Sequence, residues 1–174
     1  MIFLLVLAVA TTVSLLLPTR SGPRRPRRAA RLGLAAAMVV AGIAHWAAPT
    51  PFLQHLPPWA PVPEALILVS GGVEIALGAA LLLGLPWRRR AGLALAAYLL
   101  AVFPANVYVA VAGIDVDGQP GGAYPWLRLP LQALFIAWAL WSTDWDLARR
   151  GGSTSLSGAG SAGRPPSTVT RGSH

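Results

Sequence analysis

The amino-acid sequence predicts an all-α integral membrane bundle, and three observations carry the prediction. Of 174 residues, 55% are hydrophobic and 11% charged, which is too apolar for an ordinary soluble domain and too short for more than one compact unit. Long apolar runs recur along the chain, each near the ~20 residues that a helix rising about 1.5 Å per residue needs to cross about 30 Å of hydrocarbon. The formal net charge of +8 comes wholly from arginine, with no lysine, and the arginines cluster beside the apolar runs. That is the distribution of topology signals rather than of a nucleic-acid surface.

The first run, Ile2 to Leu17, is the shortest of five. It reads as an uncleaved span over residues 1–18 rather than a signal peptide. It has no charged leader and no small-x-small cleavage site, and the arginines behind it resist export. A basic loop over 19–31 follows, with Arg20, Arg24, Arg25, Arg27, Arg28 and Arg31. The second run is Ala29 to Ala48 and the third Pro63 to Leu85; Arg88, Arg89 and Arg90 then precede the fourth, Ala91 to Gly113. The fifth is Trp126 to Thr143, followed by Arg149 and Arg150. Five spans place all three arginine clusters on one side, expected to be cytoplasmic, with the N-terminus outside and the C-terminus inside a bacterial plasma membrane. Any change in span number would move a cluster across.

The segments between runs differ in kind. Residues 47–62 carry five prolines together with Phe52, Leu53, Leu56 and Trp59, so a regular helix is excluded and a short interfacial cap is expected. Residues 114–125 are Gly-rich and acidic, as in an exposed outer loop. From 144 to 174 the chain is dominated by Gly, Ser, Thr and Pro without apolar periodicity, the pattern of a disordered cytoplasmic tail.

Glu74 is the chemically loudest residue. Counted from Pro63 it lies about 16 Å along its run, near mid-depth, where an unpaired charge costs several kcal/mol. It must be neutral or paired, serving as a packing lock or as a ligand or proton site. Gly71 and Gly78 share its face, letting a neighbouring helix approach. His45, near the outer end of the second run beside Trp46, reads as a packed anchor or a ligand. In the fourth run Pro104 is expected to free the Leu100 carbonyl, and Asn106 and Tyr108 follow at once. Arg128 and Gln132 open the fifth run on one face, four residues apart. Arg128 could snorkel to lipid phosphate or reach Glu64, Glu74, Asp115 or Asp117. By depth, His45, Glu74, Asn106, Tyr108, Arg128 and Gln132 form a candidate pocket opening outward with Glu74 as its floor. Arg128, Gln132 and Asn106 are the expected partners of Glu74.

Other chemistries are poorly served. With no cysteine, disulfide catalysis, thiolate metal sites and iron–sulfur ligation by this chain are excluded. His45 and His55 do not form a convincing haem pair, and Asp115, Asp117 and Gly118 lack the later ligands of a calcium loop, so neither haem nor metal is expected. No phosphate loop, dinucleotide fingerprint or nucleophile elbow occurs, and no nucleic-acid partner is expected. Anionic lipid is the expected partner of the arginine clusters.

Taken in order, Ala41-Gly42-Ile43-Ala44-His45-Trp46, Pro57-Pro58-Trp59, Ser70-Gly71-Gly72-Val73-Glu74-Ile75-Ala76-Leu77-Gly78, Phe103-Pro104-Ala105-Asn106-Val107-Tyr108 and Arg128-Leu129-Pro130-Leu131-Gln132 resemble the DoxX-like family of small bacterial membrane proteins. The resemblance covers residues 32–143 and implies a four-helix membrane bundle formed by the second to fifth spans, preceded here by one extra N-terminal transmembrane helix. By position, its polar signature falls on His45, Glu74, Asn106, Tyr108, Arg128 and Gln132. The family takes its name from a subunit of a thiosulfate:quinone oxidoreductase, so the resemblance implies a small-ligand site, with quinone as the candidate, and redox-complex subunits or further copies of the chain as partners. It implies no self-sufficient enzyme. A non-catalytic assembly or maturation factor and a small-solute transporter are the alternative functions.

Overall fold

The computed structural model describes residues 2–16 and 25–144. The expected tail, apart from Asp144, and residues 19–24 of the expected basic loop fall outside them. The described residues form six helices and no strand: α1 (Ile2–Leu16), α2 (Arg25–Ala47), α3 (Thr50–Leu53), α4 (Pro63–Ala80), α5 (Trp87–Ala112) and α6 (Tyr124–Ser142). Three are long and apolar enough to cross a membrane: α2 over Pro26–Ala47, α4, and α5. Helix α1, with 15 residues, falls short in length. Helix α6 has 19 residues, but Pro125, Arg128, Pro130 and Gln132 dilute its apolar character.

Helix boundaries shift from the expected runs for local reasons. Helix α2 starts at Arg25, so the end of the expected basic loop is helical; arginine is a good helix former and Pro26 suits a first turn. Helix α4 begins at Pro63 and ends at Ala80, before Gly84 and Pro86, which break the apolar run ahead of its end. The proline-rich segment between α2 and α4 holds the single turn of α3, followed by an irregular path to Val62 at the N-cap of α4.

Helix α2 is the centre of the assembly, packed along α1 and α4 and also against α6, while α5 packs along α6 and touches α4. Leu7 of α1, Leu34, Ala35 and Met38 of α2, Leu95 of α5 and Ala139 of α6 share one core with Leu81. Phe3 meets Phe135 edge to face at 5.1 Å. The α2–α4 seam is set by glycine: a Cβ on Gly42 would lie 2.5 Å from the Gly71 carbonyl oxygen, and one on Gly71 would lie 2.8 Å from that of Gly42. Such close backbone approach is the use that small residues have between membrane helices. Leu66, Leu68 and Val69 of α4 and Leu100, Phe103 and Val111 of α5 face outward and are exposed, an outer surface suited to hydrocarbon.

The starts of α2 and α5 and the end of α6 meet at one end of the molecule. There Arg27 donates to Asp144 at 3.2 Å, Arg88 pairs with the other Asp144 oxygen, and Arg31 donates to the Ser142 carbonyl at 3.3 Å. Burial alone would raise the Asp144 carboxyl, but the Arg27 hydrogen bond and the charge and hydrogen bond of Arg88 outweigh it and hold the group below its ordinary range. Arginines of two clusters thus share one end of the described residues.

Candidate functional site

Glu74 projects from α4 between α2 and α5. The Tyr98 hydroxyl donates to its Oε1 at 2.8 Å, and its Oε2 lies 3.5 Å from His45 Nδ1. Oε2 is shielded from solvent and has no hydrogen-bond partner. His45, buried, donates its Nδ1–H to the Ala41 carbonyl one turn back at 2.8 Å, which leaves Nε2 as the acceptor of the neutral ring. Phe52 of α3 stacks on the imidazole with centroids 3.7 Å apart and an interplanar angle of 25°. Gly71 makes the juxtaposition possible, since a Cβ there would stand 2.8 Å from His45 Cβ.

This geometry corrects the expected partners of Glu74. Asn106 and Gln132 are committed to each other: the Asn106 amide donates to Gln132 Oε1 at 2.7 Å, and the buried Gln132 amide donates to the Leu99 carbonyl. Helix α5 runs through Pro104, and the carbonyl served by Gln132 is that of Leu99, one residue before the expected Leu100. Nor does Arg128 reach a carboxylate. Its Nη1 donates to His55 Nε2 at 2.5 Å and to Gln119 Oε1 at 2.8 Å, and the arginine–carboxylate ion pairs among the described residues are those of Asp144 with Arg27 and Arg88. Asp117, in the loop between α5 and α6, is differently engaged, accepting from Gln54 at 3.0 Å and donating its backbone N–H to Gln54 Oε1 at 2.8 Å.

His55 donates Nδ1–H to the Pro51 carbonyl at 2.7 Å, so its Nε2 is free to accept from Arg128. Burial, reinforced by the Arg128 charge, pushes its pKa down to about 4, and the ring is neutral at pH 7 as that acceptor role demands. Among the described residues there is no group of three or more His, Cys, Asp or Glu placed to hold a metal.

Hydrogen bonding therefore divides the six candidate residues into local groups. Glu74 and His45 meet, together with Tyr98; Asn106 and Gln132 meet on α5 and α6; Arg128 joins His55 and Gln119; Tyr108 is half-buried, its side chain making no hydrogen bond among the described residues. Tyr98 escaped the sequence reading because a lone tyrosine in an apolar run has no periodic signature. Depth was the available signal: counted from Trp87 it lies about 16 Å along α5, as far as Glu74 lies along α4, so adjacent antiparallel helices can bring the two to one level.

The Asn106–Gln132 link gives a direct test of packing. Gln132→Leu should destabilise the protein by about 1–3 kcal/mol, because the Asn106 amide loses its acceptor at a buried seam. Thermal denaturation in detergent measures it, and an unchanged melting temperature would show that the link carries no stability.

Residues 34–143 match the model of a family described as a domain of unknown function (DUF8561). No curated protein and no solved structure matches the chain.

Proposed function

The chain belongs to that family, and we propose that it is a DoxX-like integral membrane protein of the bacterial plasma membrane whose centre is a small-ligand site at Glu74, serving as a subunit of a membrane redox complex. The unpartnered, buried Glu74 Oε2 between Tyr98 and His45 carries the reading. Leaving a polar atom in that position costs about 1–3 kcal/mol unless something outside the chain completes it. A quinone headgroup has the matching chemistry. A protonated Glu74 donates to a quinone carbonyl, and an ionised one accepts from a quinol hydroxyl. His45 Nε2 supplies a further acceptor, and Phe52 an aromatic face. Thermal denaturation with a short-chain benzoquinone tests the reading: a concentration-dependent rise in melting temperature supports it, and no shift counts against it.

In this reading α2, α4, α5 and α6 form a four-helix membrane bundle with α1 as an added span, the N-terminus outside and the arginine-rich end cytoplasmic. The charge distribution and the apolar outer faces of α4 and α5 support it. Because the chain has no cysteine, single cysteines introduced at Gly118 and Arg89 can be labelled from one side at a time. Gly118 should react from outside and Arg89 from inside, and the reverse pattern would invert the orientation.

The self-satisfied Asn106–Gln132–Leu99 network favours a second reading, an assembly or maturation factor in which polar side chains only fix helix packing. That reading predicts no response to quinone and full function in Glu74→Gln.

A further inference from the structure

We infer that the arginine-rich end holds a specific site for the phosphate-ester headgroup of an anionic phospholipid, built from Arg27, Arg31 and Arg88 around Asp144. The inference rests on α2 and α5 being membrane spans and is independent of any ligand at Glu74.

Among the described residues two guanidinium groups, Arg27 and Arg88, engage the single Asp144 carboxylate and a third, Arg31, stands beside them, an excess of two positive charges within the cluster. Each Asp144 oxygen is already engaged, one by Arg27 and one by Arg88, while Arg31 has a backbone carbonyl instead. The Nε atoms of Arg31 and Arg88 are shielded from water and have no acceptor among the described residues. A folded end that gathers cations, desolvates them in part and leaves donors unused is short of an anion. A phosphate ester supplies several acceptor oxygens in the geometry that arginine forks fit best.

The surroundings favour a lipid as its source. Trp138 donates to the Ala30 carbonyl at 3.2 Å and Trp141 lies under Arg27, 5.7 Å from its guanidinium carbon, so the cluster sits at a tryptophan level such as marks the boundary of headgroups and hydrocarbon. Trp141 is itself exposed beside the site, as a surface for acyl chain. Arg89 and Arg90, exposed at the same end, make no ion pair among the described residues and provide an internal control that removes more charge than Arg88→Gln does.

Native mass spectrometry of the full chain in mild detergent, titrated with phosphatidylglycerol or phosphatidylcholine, tests the site. Wild type should retain phosphatidylglycerol over phosphatidylcholine, and Arg88→Gln should lower that retention about tenfold, the loss of one charge-assisted contact. The Arg89→Gln/Arg90→Gln double variant should stay near wild type. Asp144→Asn, which removes the competing negative charge, should raise retention; if Arg88→Gln does not fold, this variant decides, and unchanged or lower retention overturns the site. Equal retention of the two lipids, or equal losses in Arg88→Gln and the control, would also overturn it. Full displacement of phosphatidylglycerol by millimolar inorganic phosphate would assign the cluster to a free anion and overturn the lipid source.

Discussion

Glu74→Gln should abolish most small-ligand binding, at least about tenfold, while leaving the helical fold and its melting temperature close to wild type. The substitution is nearly isosteric. Its amide carbonyl can still accept the Tyr98 hydroxyl that donates to Oε1 at 2.8 Å, so the α4–α5 link survives. What disappears is the oxygen that no group among the described residues hydrogen-bonds, and with it the ability to switch between accepting and donating a proton. A hydrogen bond to a charged group contributes about 1.5–3 kcal/mol, which converts to roughly 10- to 150-fold in affinity. Glu74→Leu differs in kind, because it also strands the Tyr98 hydroxyl and should lower stability by about 1–3 kcal/mol. Quinone binding and thermal denaturation on the same preparations separate the two effects. If Glu74→Gln binds as well as wild type, ionisation is irrelevant and the packing reading gains.

A larger loss of stability is expected at the α2–α4 seam. Gly42→Ala would drive a Cβ to 2.5 Å from the Gly71 carbonyl oxygen and 2.7 Å from Ile75 Cγ1, and Gly71→Ala to 2.8 Å from the Gly42 carbonyl oxygen. Backbone oxygens cannot swing away as a flexible side chain can, so the helices must separate. Overpacking of this kind costs about 1–3 kcal/mol per site, and both sites together should prevent recovery of a monodisperse protein. Gly71→Ala has a second consequence, because the same Cβ would stand 2.8 Å from His45 Cβ and displace the imidazole from Glu74. Gly72 is the control. Its nearest neighbour would be 3.8 Å away, so Gly72→Ala should be neutral or stabilising by up to about 1 kcal/mol through helix propensity alone. Melting temperatures of the three variants in one detergent decide the matter; equal effects at Gly42, Gly71 and Gly72 would show that the close seam is not what holds α2 to α4.

Much of this architecture was legible because it is written in one-dimensional patterns. Apolar runs, prolines at helix starts and glycines spaced along one face are local signals, and they located α4, its contact face and the costly carboxylate upon it. Pairing across helices is different. It depends on the register of one helix against another, which no single run encodes, and so Tyr98 was missed and Arg128, Gln132 and Asn106 were wrongly favoured as partners of Glu74. Asn106 and Gln132 instead complete each other and a carbonyl near the proline of α5, and Arg128 found a neutral imidazole brought to it by the outer segment. Helix ends slipped for a related reason: arginines that mark a membrane boundary by charge are also good helix formers, so α2 continues through them. Composition identified the right face of the right helices; side-chain valence decided who met whom.

The central claim, that the buried Glu74–Tyr98–His45 group is completed by a small molecule, is tested most directly by native mass spectrometry of the full chain purified in mild detergent. The account predicts a retained mass in the range of a quinone in wild type, lost in Glu74→Gln. Wild type that carries no quinone or other small molecule, and takes up none when a short-chain benzoquinone is added, would contradict it.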